Sequence, residues 1–476
     1  MNETDIAFAT ATEQARLIRQ KSVSPVELVD LCYSRIGRIN PELNALLALD
    51  EDRARAAAKR AETAITKGDP IGPLHGVPVG IKDNEMTEGI ESTWGSLWMK
   101  GHVPAEDSIV VERLKSAGAI VLGKTNMPDW GLMIHSENRL GDHARNPWAP
   151  GRTAGGSSSG SAAGVAAGLF ALASGTDGGG SIRAPASFCG VFGIRPTLGR
   201  VPRYAGSAAP YVVNQFSQPG PITRTVEDAA MMLNVIAGFD PRDPDASRLA
   251  VPDYGAWIPK APSGLRVAYS PDFGYARVDS EVAAAVERAV LTIESVGATM
   301  EQVKLDCSRA FEAYWPMICA NQYAGSNGRF ESRGDDLSPE AFRVYEYGAA
   351  LTGRDYATAL GELDQLKAKF DDLFDRYDLL VSPTMPTTAF RVGEPTASIL
   401  PPHDTRMWGF PAHSPFTFPI NAIGLPGCSV PCGFDSSGLP VGLHIVGRRF
   451  EEGVILALAA ALERACPWSG TRPTVA

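Results

Sequence analysis

Val26, Val29, Tyr33, Ile36 and Ile39 recur at the spacing of one helical face, and the Ser24-Pro25-Val26-Glu27 run before them combines a capping box with Pro at the first helical position. A helix is predicted to start there. An alanine-rich stretch over 51–65 predicts a second helix, 108–117 a third that stops at Gly118, and 225–237 a fourth that stops at Gly238. Short apolar runs at 76–81 and 119–122 read as buried strands. After a segment holding Pro241, Pro244, Pro252, Pro259 and Pro262, strand-like runs at 265–269 and 300–305 flank a helical pattern over 280–295, and mostly helical chain extends to residue 376. Strand runs at 379–382, 428–432 and 441–446 and a helix over 452–464 close the pattern. Strands alternating with helices predict an α/β sheet covered on both faces.

The 476 residues read as one domain, 1–476, with a helical N-terminal region 1–70, a core 71–238, a Pro-rich connection 239–262 and a C-terminal half 263–476. Charge adds mainly an exclusion: 44 Lys+Arg against 54 Asp+Glu give −10, which disfavours a nucleic-acid partner bound through a general basic field. With 21% charged and 44% hydrophobic residues the balance is that of a soluble globular protein. No run reaches the roughly 18 apolar residues of a membrane span, and Met1-Asn2-Glu3-Thr4-Asp5 lacks the basic start of a secretory signal. A cytoplasmic protein with no membrane partner is expected. Seven scattered cysteines predict reduced thiols, and Cys428 and Cys432 lack the second pair that a zinc site needs, so no metal is predicted.

Two motifs match by letter and fail by context. Gly118-Ala-Ile-Val-Leu-Gly-Lys-Thr125 fits the P-loop pattern, but a phosphate loop follows a strand and opens a helix, whereas here a helix precedes Gly118 and 119–122 is itself strand-like. Gly156-Ser-Ser-Ser-Gly160 fits the nucleophile elbow with Ser158 at its centre, but the Pro-, Gly- and polar-rich run before it cannot be a buried strand. No lysine has a serine three residues before it, which removes the penicillin-binding pattern. The seven histidines, among them His75, His135, His143 and His444, form no i, i+4 pair and read as ordinary residues.

What remains is a block from 151 to 199 rich in Gly, Ser and Ala. Gly155-Gly-Ser-Ser-Ser-Gly160 and Gly175-Thr-Asp-Gly-Gly-Gly-Ser-Ile-Arg183 set two serine clusters among glycines, around an apolar stretch, 162–172, that is predicted to be helical. Glycines let backbone N–H groups converge, which suits an oxyanion. A serine nucleophile needs a base, and a lysine serves if burial keeps it neutral. Lys82, at the end of the 77–81 run, is the candidate base; on spacing alone it reads equally as a strand-end lysine in solvent.

These residues carry a resemblance. The two glycine–serine runs, continued through Ala184 and Pro185, resemble the signature of the amidase signature family of serine hydrolases, and Gly76-Val-Pro-Val-Gly-Ile-Lys-Asp83 resembles its lysine motif. Gly123-Lys-Thr-Asn-Met-Pro128, Arg145-Asn-Pro-Trp148 and Gly438-Leu-Pro-Val-Gly-Leu443 extend the likeness from about residue 24 to the closing helix. The resemblance implies a mixed, mostly parallel twisted central sheet, and a triad of Ser181 as nucleophile, Ser157 as bridging serine on a cis peptide after Gly156, and Lys82 as base. It implies an oxyanion hole from the N–H groups of Gly178, Gly179, Gly180 and Ser181, with Asp177 and Arg183 as supports and no cofactor. Gly178 departs from the Thr or Ile of many relatives, which is expected to leave room beside that hole.

The implied reaction is hydrolysis of a carboxylic amide through an acyl-enzyme. Tyr314-Trp-Pro-Met-Ile-Cys-Ala-Asn321, Met407-Trp-Gly-Phe-Pro411 and Phe416-Thr-Phe418 are apolar and aromatic, which favours bulky or aryl amides and makes Cys319, Asn321 and Trp408 candidate pocket residues. The same triad fits carbamates and esters. The family also contains the glutaminase subunit of the tRNA-dependent amidotransferase, which works with partner subunits, and a catalytically silent anion-binding scaffold is a further class. The expected partner is a small-molecule amide, with the chain a monomer or homodimer.

Overall fold

In the computed structural model, which describes residues 2–204, 214–394 and 407–476, the capping box is built as read. The Ser24 hydroxyl accepts the Glu27 N–H at 3.0 Å and the Glu27 carboxylate accepts the Ser24 N–H at 2.8 Å, opening the helix Pro25–Leu43. The strands, in chain order, are β1 (Leu46–Leu49), β2 (Pro78–Lys82), β3 (Ile120–Thr125), β4 (Arg145–Asn146), β5 (Ala149–Thr153), β6 (Leu172–Asp177) and β7 (Phe192–Arg195), then β8 (Gln218–Thr223), β9 (Arg266–Tyr269), β10 (Thr299–Gln302), β11 (Leu379–Pro383), β12 (Gly427–Phe434) and β13 (Pro440–Gly447). All but the β4–β5 pair join one 11-stranded sheet, ordered β1-β3-β2-β6-β8-β7-β12-β13-β11-β9-β10.

The sheet is mixed. Parallel pairing lies in two blocks, β3-β2-β6 and β11-β9-β10, while every pair from β6 across to β11 is antiparallel. The two faces separate residue by residue, because successive strand side chains point to opposite sides. Val79, Ile81, Val121, Val267 and Leu379 pack in one core with the helices Ile109–Ser116, Val226–Ile236, Ser280–Ser295 and Glu452–Ala465. Ile120, Leu122 and Ala173 face the opposite core with the helices Pro25–Leu43 and Ser159–Ala166, and further along the sheet Ala268 and Leu380 meet the helices Ala310–Ser326 and Gly353–Phe374. Strands on both sides of the Pro-rich connection 239–262 belong to this sheet, so that connection does not divide it.

The letter-matched P-loop is β3 itself, with Lys124 inside the strand, and the residues before Ser158 form the small β4–β5 hairpin outside the main sheet. The helix expected over 162–172 is shorter and earlier. It spans Ser159–Ala166, the chain reverses at Gly168 (φ +66°), and Leu172 already begins β6. All eight residues of this helix are buried, and their small size has a steric reason. Phe170 fills a slot between Gly80 and Gly164, where added Cβ atoms would lie 2.6 and 2.3 Å from its ring. At Gly160 a Cβ would lie 2.0 Å from the Ala45 carbonyl oxygen and 2.4 Å from the Asn126 nitrogen. The helix is thus seated directly on backbone. Gly160→Ala is predicted to destabilise the protein by about 1–3 kcal/mol, the usual cost of overpacking, read as a lower denaturation midpoint; an unchanged midpoint would refute the steric account.

Candidate active site

β2 and β6 are parallel neighbours, with Val79 opposite Leu172 and Gly80 opposite Ala173, so their C-terminal ends open at the same edge of the sheet, where α/β sheets bind ligands. Lys82 is the last residue of β2 and Asp177 the last of β6. The Lys82 N–H donates to Ser174 Oγ at 2.9 Å, which ties the two strand ends together. The Lys82 side chain is 0% exposed, and its Nζ lies 2.8 Å from Ser157 Oγ, 2.9 Å from Thr176 Oγ1 and 3.2 Å from the Thr176 carbonyl oxygen. Burial lowers the Lys82 pKa to about 7, against the opposing pull of the Asp177 and Glu85 carboxylates. The strand-end lysine is therefore not in solvent.

Ser157 follows a cis peptide bond from Gly156, and Ser181 is tied to the same loop by a Ser158 N–H bond to the Ser181 carbonyl oxygen at 3.1 Å. Ser157 and Ser181 line one cavity of about 880 Å³, counting its open mouth. Its walls include Trp94, Met127, Trp130, Leu132, Pro219 and Phe410.

The loop after β6 is held by its carbonyls. The Asp177 carbonyl oxygen accepts Asn421 Nδ2 at 2.9 Å, the Gly178 carbonyl accepts the Tyr314 hydroxyl at 2.5 Å, the Gly179 carbonyl accepts Thr417 Oγ1 at 2.7 Å, and the Gly180 carbonyl accepts the Ala184 N–H at 2.7 Å. In a trans peptide the N–H points opposite the C=O. Each anchor therefore aims the next N–H the other way. Gly178, Gly179 and Ser181 line the cavity. Gly180 does not, and its N–H donates to Asp177 Oδ1 at 2.7 Å. The expectation that Gly180 supplies an oxyanion donor is corrected on that ground, because its proton is already committed to a carboxylate.

Asp177 braces this loop through charge. Burial pushes its pKa up, but the Arg183 guanidinium (Nε to Oδ2, 2.9 Å), Arg195 and the Asn421 amide hold it well below the usual carboxylate range. Arg183 also bonds to Asn421 Oδ1, and its Nη1 lies 2.9 Å from His444 Nε2. Burial and then the Arg183 charge push the His444 pKa far down, so this histidine is neutral and structural, in keeping with its ordinary reading.

The pocket residues expected from the sequence lie elsewhere. Cys319 is buried in the helical core, where its carbonyl faces Gly348; Asn321 and Trp408 do not line the cavity, and Trp408 packs edge-on against Trp315 at 5.1 Å. The nearby positions Gln322 and Phe410 reach the cavity instead. The room expected beside Gly178 is filled, since a Cβ there would lie 2.2 Å from Asn214 Nδ2. Sequence reading missed Thr176, Trp94, Trp130 and Asn214. A signal for the tryptophans exists in the Trp94-Gly95 and Trp130-Gly131 doublets, because both tryptophans take left-handed backbone conformations, φ +56° and +53°, rare for a bulky residue.

A glutamyl-tRNA(Gln) amidotransferase subunit from Geobacillus thermodenitrificans (strain NG80-2) is 37% identical over 491 residues, covering 98% of this chain and 99% of the relative. Among solved structures, a bacterial aryl acylamidase of the amidase signature enzymes aligns with TM-score 0.90 at 29% identity, covering 98% of each chain. The 6-aminohexanoate cyclic dimer hydrolase complexed with substrate aligns with TM-score 0.88 at 31% identity, covering 98% of this chain and 99% of that one. With the Amidase family model matched over residues 27–456, the chain belongs to the amidase signature family of amide-hydrolysing enzymes.

Proposed function

We propose that the chain hydrolyses bulky, aryl or otherwise apolar carboxylic amides, with Ser181 as nucleophile, Ser157 as proton relay and Lys82 as base. The observation that carries the mechanism is the set of contacts around the Lys82 amine. A neutral amine has two protons and one lone pair, and Thr176 offers two acceptors, its carbonyl and its hydroxyl oxygen. The lone pair is left for the Ser157 O–H at 2.8 Å. Ser157 gives its proton to Lys82 and takes the Ser181 proton as Ser181 Oγ attacks the substrate carbonyl. The oxyanion that forms is met by the N–H groups of Gly178, Gly179 and Ser181, and in other enzymes the loss of one such donor costs about 10²–10³-fold in kcat. The relay then runs backwards to protonate the departing nitrogen, and water releases the acid by the same route.

Two features of the cavity support apolar substrates. Trp94, Met127, Trp130, Leu132, Pro219 and Phe410 give it an apolar wall among polar lining residues, and its two charged lining side chains have internal partners: Glu85 Oε2 accepts the Ser108 hydroxyl at 2.6 Å, and Arg203 pairs with Asp245. A free amino acid such as glutamine brings an ammonium and a carboxylate that both need partners of their own. The glutaminase reading has the stronger support from similarity, at 37% identity over nearly the full length of a glutamyl-tRNA(Gln) amidotransferase subunit, and it predicts weak activity alone and a partner protein. Carbamates and esters fit the same triad.

A panel of anilides, small aliphatic amides, carbamates, esters and L-glutamine separates these readings. Purified protein should turn over anilides with a kcat/KM at least tenfold above that for glutamine; preference for glutamine would overturn the substrate assignment. Ser181→Ala should abolish turnover and Lys82→Ala should lower kcat by about 10²-fold or more, both checked with the best substrate. Near-wild-type rate in Lys82→Ala would remove the base from the mechanism.

Lys82 works as the free amine, which is present above its pKa, so kcat/KM should rise with pH up to about 7 and then level off. Rates measured from pH 5 to 9 test this, and a profile falling through that range would contradict it.

A further inference from the structure

Tyr314 belongs to the aromatic run noted in the sequence, yet the chemistry above makes no use of it. It is fully buried, with the rings of Phe216, Phe418 and Phe410 at centroid distances of 5.2, 5.5 and 6.0 Å, and its hydroxyl is committed to the Gly178 carbonyl. Among the described residues only the Gly156–Ser157 bond is cis, so the 178–179 peptide is trans, and fixing its carbonyl fixes the opposite direction of the Gly179 N–H. Asn214 stands behind the same peptide. Its Oδ1 accepts the Phe216 N–H at 3.0 Å, which leaves its Nδ2 for the other side, where it lies 2.2 Å from the place of a Gly178 Cβ and hydrogen-bonds to the Tyr314 hydroxyl.

We infer that Asn214 and Tyr314 are positioning residues, linked from amide to phenol to Gly178 carbonyl, that aim the Gly179 N–H into the cavity as an oxyanion donor, and that position 178 is glycine because Asn214 occupies the space of its side chain. The inference rests on Ser181 being the nucleophile of the proposed reaction. It gives the absent side chain at 178 a cause and assigns the tyrosine to transition-state geometry instead of substrate affinity. Gly179 has its own constraint, since a Cβ there would lie 2.2 Å from the Phe410 ring and 2.9 Å from the Tyr314 hydroxyl.

Tyr314→Phe keeps the ring and its packing and removes the hydroxyl alone. With the best amide of the panel, kcat should fall about ten- to hundredfold with KM unchanged within about twofold, a smaller loss than deleting a donor outright because the N–H is misdirected and not removed. Retained kcat, or a loss carried wholly by KM, overturns the inference. Gly178→Ala should likewise lower kcat at least tenfold in the unmodified protein and much less in an Asn214→Ala background, where the space is already clear; an equal fold-loss in both backgrounds, with all variants folded, overturns the steric half. Labelling of Ser181 by a fluorophosphonate keeps the two levels apart. No labelling of the unmodified protein defeats the nucleophile assignment itself, whereas normal labelling there and an equal labelling rate in Tyr314→Phe defeats only the positioning role.

Discussion

The burial of one amine constrains the rest of the active site. Lys82 is 0% exposed at the end of a strand whose every residue is buried, and desolvation brings its pKa down to about 7. Solvent at that position would restore an ordinary lysine, charged at neutral pH and useless as a base. The Gly/Ala-rich helix Ser159–Ala166 packs beside this strand end, with Gly80 and Gly164 leaving the slot that Phe170 fills and Gly160 seated on the Ala45 and Asn126 backbone.

A second buried lysine has different contacts from the proposed base. Lys124 is equally enclosed, and burial lowers its pKa to about 8, yet its Nζ donates to the Glu85 carbonyl and to the Thr87 and Ser92 hydroxyls, at 3.0 and 2.9 Å for the latter two. Those partners belong to the segment after β2. Lys124 braces the chain beside the cavity, whereas the Lys82 amine meets a serine that shares a cavity with a second serine. Position relative to the proposed hydroxyl relay separates the two lysines.

A charge cluster braces the loop that carries the proposed nucleophile. Asp177 takes the Gly180 N–H, Arg183 and Asn421, while Asn421 also reaches the Asp177 carbonyl. Asn421 and Thr417 come from the short helical region near the C-terminal end of the chain, Tyr314 from the helix Ala310–Ser326, and Asn214 from the segment before β8. The loop is shaped by three distant stretches of chain, and the first two of them also bring Phe410 and Gln322 to the cavity.

The elements and the proposed reacting groups were legible in the linear chain. Capping chemistry, apolar period and glycine punctuation marked helix and strand positions, and Lys82, Ser157 and Ser181 stood in short runs whose resemblance to a family signature is local. Packing in three dimensions settled what those signals do not encode. Strand direction across the middle of the sheet and the replacement of Cys319, Asn321 and Trp408 by Gln322, Phe410, Trp94 and Trp130 depend on which segments meet, while the Gly180 N–H is taken by Asp177 within the same loop. A helix places neighbouring residues about 100° apart, so Asn321 and Gln322 have nearly equal claims in a linear reading and different surroundings in the fold. Residues within one run can be read for chemistry because their spacing is covalent; contacts such as Asn214 with Gly178 exist only after the sheet has brought distant segments to one edge.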